Sequence, residues 1–134
     1  MTVRALDHVN IRTTDVPGTA AFFRDVLLLE LRVAPGSPSI DRGCWAYDAG
    51  GRPIFHIGPA DAVYPSDDLA PFTPARGGGS VHHVALECDD PDAIKARLGV
   101  AGLSFAESRI ESIGLTQLFV QEANGVLLEL NFWS

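Results

Sequence analysis

Two stretches decide the reading of this chain. Asp7-His8-Val9-Asn10-Ile11-Arg12-Thr13-Thr14-Asp15 lies over His82-His83-Val84-Ala85-Leu86-Glu87-Cys88-Asp89-Asp90. Both read His-Val-x-aliphatic, and both place an aspartate seven residues after the histidine. Self-similarity of this kind marks a repeated structural unit. Each stretch then enters a helical pattern near a proline, Pro17 in the first half and Pro91 in the second. Asp90 suits an N-cap and Pro91 the first helical position, where a missing N–H costs nothing.

Outward from these stretches, Phe22, Phe23, Val26 and Leu27, and then Ile94, Leu98 and Ala101, follow the spacing of a one-sided amphipathic helix. Strand-like segments come next: Leu29–Ala34, Cys44–Tyr47 and Pro53–Ile57, then Ser104–Ala106, Thr116–Gln121 and Val126–Phe132. Asp48-Ala49-Gly50-Gly51 and Glu122-Ala123-Asn124-Gly125 are tight turns whose Gly-Gly and Asn-Gly pairs supply positive φ. Each half therefore reads β-α-β-β-β, an α+β chain of two tandem modules, with helices outside. Module 1 spans about residues 1–58 and module 2 about 81–134. The linker, 59–80, is rich in Pro and Gly and has no periodicity. It reads equally as a surface crossover or as a lid.

Composition narrows the functional classes. The 134 residues are 46% hydrophobic and 20% charged, which suits one domain that buries a core without needing disulfides or metal to fold. Ten Lys+Arg against 17 Asp+Glu give a net charge of −7, and no basic cluster appears. Nucleic acid is not expected as a partner. The longest apolar run, Val26–Leu29, is far short of the roughly 20 residues a bilayer span needs. Met1-Thr2-Val3-Arg4 is too quickly polar for a signal peptide. Cys44 and Cys88 form no CxxC. A reduced, cytoplasmic protein is expected.

Strand alternation then sorts the side chains. Val9 and Ile11 oppose His8, Asn10 and Arg12; Val84, Leu86 and Cys88 oppose His83, Ala85 and Glu87. Phe55 and Ile57 oppose His56, while Leu128, Leu130 and Phe132 oppose Glu129 and Asn131. The apolar faces meet the helices, so His8, His56, His83 and Glu129 share the faces that look away from them. An isolated histidine is more often a satisfied polar residue than a ligand. Here the repeat pairs His8 with His83 and His56 with Glu129. A carboxylate in Val-Leu-Leu-Glu-Leu-Asn-Phe is costly without a partner. His82 would replace His83 after a one-residue slip, but the repeat and the alternation both choose His83. Imidazole and carboxylate are ligands of zinc, nickel and non-haem iron.

With Leu6-Asp7-His8-Val9, Phe22-Phe23-Arg24-Asp25-Val26-Leu27, His83-Val84-Ala85-Leu86 and the tail Gln117–Leu130, the chain resembles the vicinal oxygen chelate superfamily. That group includes glyoxalases, bleomycin and fosfomycin resistance proteins, methylmalonyl-CoA epimerases and extradiol dioxygenases. Gln121-Glu122-Ala123 departs from the Asp-Pro usual before Asn-Gly, which touches a turn only. The resemblance implies a curled mixed sheet around a metal cleft, with each module's first and last strands adjacent. It implies one divalent metal (Fe, Ni, Zn, Mn or Co) held by His8, His56, His83 and Glu129. A small substrate would chelate the metal through two oxygens, with Glu129 as the base of a lyase or isomerase reaction. If His56 ligates, two positions stay open, enough for a bidentate substrate and too few for dioxygen as well. The alternatives are an extradiol dioxygenase using His8, His83 and Glu129, and a metal-free drug-binding protein. Asn10 and Arg12 share the His8 face, and Trp45 and Phe119 lie on central strands of undetermined parity; all four are possible substrate contacts. The resemblance also implies a homodimer, to which the terminal Phe132 and Trp133 lend a weak hint.

Overall fold

The computed structural model describes residues 2–134; Met1, which heads the stretch read as too polar for a signal peptide, lies outside the described residues. The chain divides into two compact units, one running through Pro74 and the other spanning Ala75–Ser134. The first contains β1 (Val9–Thr13), α1 (Val16–Asp25), β2 (Glu30–Val33), β3 (Cys44–Tyr47) and β4 (Pro53–Pro59). The second repeats the order with β5 (Val84–Glu87), α2 (Pro91–Val100), β6 (Ala106–Ile110), β7 (Leu115–Gln121) and β8 (Leu127–Trp133). Each unit forms a four-stranded sheet, β1-β4-β3-β2 and β5-β8-β7-β6. β1 pairs with β4 and β5 with β8 in parallel, and all other pairs are antiparallel. The first and last strands of each module are thus neighbours, and the fold is α+β with two βαβββ modules.

Both helices begin as local chemistry dictates. Asp15 accepts the Gly18 N–H at 3.0 Å, and Asp90 accepts the Ala93 N–H at the same distance. These caps satisfy donors that the first turn leaves without intrahelical partners. A Cβ at Gly18 would meet the Asp15 carboxylate, so any other residue there would make the capping side chain shift. Helix α1 buries Val16, Ala20, Phe22 and Phe23 against its sheet, where the Phe23 and Phe55 rings lie 4.5 Å apart. Phe23, Phe55, Leu98, Leu118, Leu128 and Leu130 are essentially fully buried. Each side chain so buried contributes about 1.5–3 kcal/mol. Ile94 and Leu98 form the buried side of α2, whereas Ala101 is its exposed C-cap rather than part of the apolar stripe.

One strand falls outside its expected place. The segment Ser104–Ala106 reads as strand in sequence, yet β6 occupies Ala106–Ile110. Its Glu107-Ser108-Arg109 centre carries no apolar alternation because β6 is an edge strand, exposed and held by pairing with β7 alone. The hairpin turns fall as expected, with positive φ at Gly51 (79°) and Gly125 (82°). Of the two terminal aromatics, Phe132 is buried within its own unit and only Trp133 is exposed. No described helix is long and apolar enough to cross a membrane.

The linker has two tethered parts. Arg12 holds the first: its Nη1 donates to Asp67 Oδ1 at 3.0 Å, and its Nη2 donates to the Ala60 and Ala62 carbonyls. Tyr64 and Phe72 place their rings over the same guanidinium, at 4.2 and 4.7 Å. The second part belongs to the later unit, where the Gly77 N–H donates to the Asn124 carbonyl at 2.9 Å.

Candidate functional site

The expected ligands form two pairs, one in each unit. In the first, β4 carries His56 between the buried Phe55 and Ile57, so its side chain emerges on the sheet face away from α1. His8 stands one residue before β1. The two imidazoles stack with centroids 3.6 Å apart and planes 9° from parallel. Trp45 covers the other side of His56 at 3.9 Å, also at 9°. The sheet register causes this, since Trp45 and Asn10 are the cross-strand partners of His56 on β3 and β1. Trp45 therefore belongs to the histidine face. Asn10 lies beside it on that face and is exposed.

The stack has chemical consequences. His56 Nε2 is buried and has no hydrogen-bond partner among the described residues. Burial lowers the His56 pKa below the ordinary histidine value, and the neighbouring His8 acts in the same direction, against Asp7 and the Pro53 backbone. His56 therefore stays neutral, and able to donate a lone pair, to a lower pH than an ordinary histidine. An imidazole binds a metal roughly in its own plane at about 2.0–2.1 Å. Two parallel rings 3.6 Å apart cannot both reach one ion as they stand. Joint ligation requires one ring to turn about its χ angles.

In the second unit, His83 stands one residue before β5 and its Nε2 lies 3.8 Å from Glu129 Oε1. Glu129 is the carboxylate that the apolar strand made conspicuous, and its side chain is 14% exposed. Its other oxygen, Oε2, accepts from Asn131 Nδ2 at 3.0 Å, and Gln117 Nε2 donates to Asn131 Oδ1 at 3.3 Å. This chain of amides orients the carboxylate and leaves Oε1 turned toward His83. Phe119 is the cross-strand partner of Glu129 and shares its face. Among the described residues, no group of three or more His, Cys, Asp or Glu side chains is gathered so as to hold a metal ion.

Several contributors were not visible as site residues in the sequence. Asn131 and Gln117 carry a usable signal, because both share the parity of Glu129 on adjacent strands. Asp7 Oδ1 lies 2.6 Å from His8 Nδ1, and His82 Nδ1 lies 2.9 Å from His83 Nδ1. Only the repeat alignment hints at those two roles. Arg12, expected beside the substrate, has its guanidinium engaged by the linker instead, and its side chain is 13% exposed. The two cysteines are free thiols, and burial pushes both up to about 11, so neither is a ready nucleophile or ligand.

Comparison with known proteins agrees with this architecture. An ethylmalonyl-CoA/methylmalonyl-CoA epimerase of Cereibacter sphaeroides is 29% identical over 136 aligned positions, covering 93% of this chain and 95% of the relative. An integron cassette protein from Vibrio cholerae superposes with a TM-score of 0.72 at 15% identity, covering 100% of this chain and 98% of the other. A lactoylglutathione lyase from Agrobacterium tumefaciens superposes with a TM-score of 0.67 at 18% identity, covering 96% and 92%. At such identities these two structures establish the fold alone. The profile of one family matches residues 5–130, nearly the full length, and the chain belongs to that family, the Glyoxalase/Bleomycin resistance protein/Dioxygenase superfamily.

Proposed function

We propose that this protein is a divalent-metal-dependent enzyme of the glyoxalase type, performing proton-transfer chemistry, as a lyase or isomerase, on a small substrate that binds through two neighbouring oxygens. The observation that carries this reading is the Glu129 carboxylate, set in an apolar strand, held by Asn131 and turned toward His83. The buried His56 Nε2 without a partner supports it, as a nitrogen that a metal would satisfy. So does the donor set itself, three imidazoles and a carboxylate, which suits Fe, Ni, Zn, Mn or Co. The proposed ligands are His8, His83 and Glu129, with His56 as the fourth once its ring has turned.

A bound divalent ion would supply Lewis-acid polarisation of a substrate carbonyl. The protein's own groups do the rest. Released from the ion, Glu129 Oε1 would accept a proton from the carbon next to that carbonyl as the C–H electrons move onto the carbonyl, while Asn131 fixes Oε2 and with it the direction of attack. Trp45 and Asn10 offer aromatic and amide surface beside His56, and Phe119 offers aromatic surface beside Glu129. The likeness to an epimerase over nearly the full length of both chains favours proton transfer within the family. A branched acyl-CoA thioester is therefore the first substrate to try.

One observation favours a second reading. The parallel stack keeps His56 from sharing an ion with His8 as the rings stand. A set of His8, His83 and Glu129 without His56 is the two-histidine, one-carboxylate arrangement of non-haem iron oxygenases. A single variant separates the two. In the isomerase reading, His56→Ala loosens the metal and lowers turnover together, each by about tenfold or more. In the dioxygenase reading, His56→Ala keeps its iron, and wild-type protein consumes oxygen when given a catechol. The measurements are metal content of untagged protein, deuterium uptake from solvent by methylmalonyl-CoA, and oxygen consumption on a catechol panel. Catechol-dependent oxygen uptake with full metal retention in His56→Ala overturns the isomerase reading. Absence of any metal affinity overturns both and leaves a ligand-binding protein.

A further inference from the structure

The residue immediately before each proposed ligand histidine touches that histidine's Nδ1. Asp7 Oδ1 lies 2.6 Å from His8 Nδ1, and His82 Nδ1 lies 2.9 Å from His83 Nδ1. Asp7 and His82 are equivalent positions of the internal repeat, as are His8 and His83. The same geometry is therefore built twice, with two chemically different partners.

An ionised carboxylate can only accept a hydrogen bond. Beside Asp7, the neutral His8 must carry its proton on Nδ1 and keep the Nε2 lone pair bare. A neutral imidazole partner imposes no such choice, because its Nδ1 can donate or accept. With His82 as donor, His83 accepts on Nδ1, carries its proton on Nε2 and turns that N–H toward Glu129 Oε1, 3.8 Å away. With His82 as acceptor, His83 carries its proton on Nδ1 and faces Glu129 with a bare Nε2. Two electron-rich groups then confront each other, an arrangement that a cation between them would favour.

We propose that Asp7 and His82 are positioning residues that set the tautomers of the two proposed ligands: Asp7 locks His8 in the metal-ready Nδ1–H form, while His82 lets His83 exchange forms when a cation arrives. This rests on the metal-binding reading above. The exchange conserves protons: His83 gives up its Nε2 proton and gains one on Nδ1, while His82 gives up its Nδ1 proton and gains one on Nε2, with solvent carrying both. One histidine is prepared in advance, and the other is switched by the ion it receives. Orienting partners of this kind typically change metal affinity by about 10–100-fold.

The test is long-range proton–nitrogen NMR on histidine-labelled protein, without metal and with zinc alone, beside zinc affinities measured against a competing chelator. Asp7 is solvent-exposed and outside the core, so its variants should fold; thermal unfolding checks this. In wild type, His8 should be the Nδ1–H tautomer both without and with zinc, and His83 should change from Nε2–H to Nδ1–H on loading. Asp7→Ala should release His8 to the Nε2–H form and weaken zinc binding by about 10–100-fold, with Asp7→Asn intermediate and His82→Ala losing less than Asp7→Ala. Metal-free wild type with His8 mainly as Nε2–H overturns the proposal, as does a His83 that holds one tautomer throughout. His8→Ala separates the premises. If it abolishes zinc binding while Asp7→Ala binds as wild type does, the tautomer lock fails and the metal reading stands. If wild type takes no zinc yet shows the metal-free tautomers above, the assignment of Asp7 is supported and the metal reading is overturned.

Discussion

Replacing Glu129 by alanine should abolish the proposed metal binding while leaving both sheets formed. The carboxylate side chain is only 14% exposed and is the one charged group on β8. It contributes little to packing, because the core side of the strand is built by Leu128, Leu130 and Phe132. Gln117 still donates to Asn131 Oδ1 after the substitution, and Asn131 Nδ2, which loses its acceptor, belongs to a half-buried side chain that water can reach. Loss of a directly ligating carboxylate should weaken zinc or nickel binding by about a hundredfold or more, beyond the roughly 10–100-fold that an orienting partner costs. Solvent-deuterium exchange into substrate should fall to background, because the same group is the proposed base. Chelator competition, circular dichroism and the exchange assay read the three effects separately. Unchanged metal affinity and unchanged exchange in Glu129→Ala would remove the basis of the metal-enzyme reading.

The second large effect is on stability and concerns a different glutamate. Glu122 is 2% exposed and sits at the turn between β7 and β8. Its Oε1 accepts the Asn124 N–H at 2.9 Å and the Val126 N–H at 3.0 Å, and its Oε2 accepts Asn124 Nδ2 at 2.9 Å. The carboxylate serves three donors around a turn that must reverse the chain between the two longest strands of its sheet. Glu122→Ala takes the shared acceptor away from these part-buried donors. The expected cost is about 3 kcal/mol, lowering Tm by on the order of 10 °C. Glu122→Gln should cost about half as much, since an amide oxygen can still accept the two backbone N–H groups but its NH2 then opposes that of Asn124. Thermal and urea unfolding check both values. A wild-type Tm for Glu122→Ala would mean that the turn holds without its carboxylate.

The same glutamate illustrates what the sequence conveyed and what it withheld. Gln121-Glu122-Ala123 stood out as a departure from the related motif confined to a turn, but nothing local announced a buried carboxylate feeding three donors. The module order was legible because each half repeats His-Val-x-aliphatic and then a capped helix, and these are local signals. Edge strand β6 was not, since Glu107, Ser108 and Arg109 answer to one neighbouring strand and not to a buried face. Strand β3 reads Cys-Trp-Ala-Tyr, apolar on both sides, so only its register with β4 reveals that Trp45 joins His56. The linker contacts of Arg12 were hidden for a related reason. Its parity is right for a substrate contact, but its partners Ala60, Ala62 and Asp67 lie 48 to 55 residues away and leave no local trace. For the candidate site, the repeat and the alternation together pointed to His83 rather than His82, and the apolar strand called for a partner to Glu129, whose Oε1 faces His83 Nε2 at 3.8 Å. The contacts to Nδ1 of each histidine depend on side-chain rotation, which no residue pattern encodes.

The face-to-face contact of Trp45 with His56 also makes the protein its own optical probe. Indole emission responds to an imidazole pressed against it, and the chain has only two tryptophans. Trp133 is the exposed one, so Trp133→Phe silences it with little disturbance and leaves Trp45 as the sole emitter. Any ion that draws His56 out of the stack should then change the brightness and colour of the protein in proportion to occupancy. An ion held without His56 should leave the light unaltered. A fluorimeter can thus follow, in real time and before any substrate is known, the ring movement on which the choice of chemistry turns.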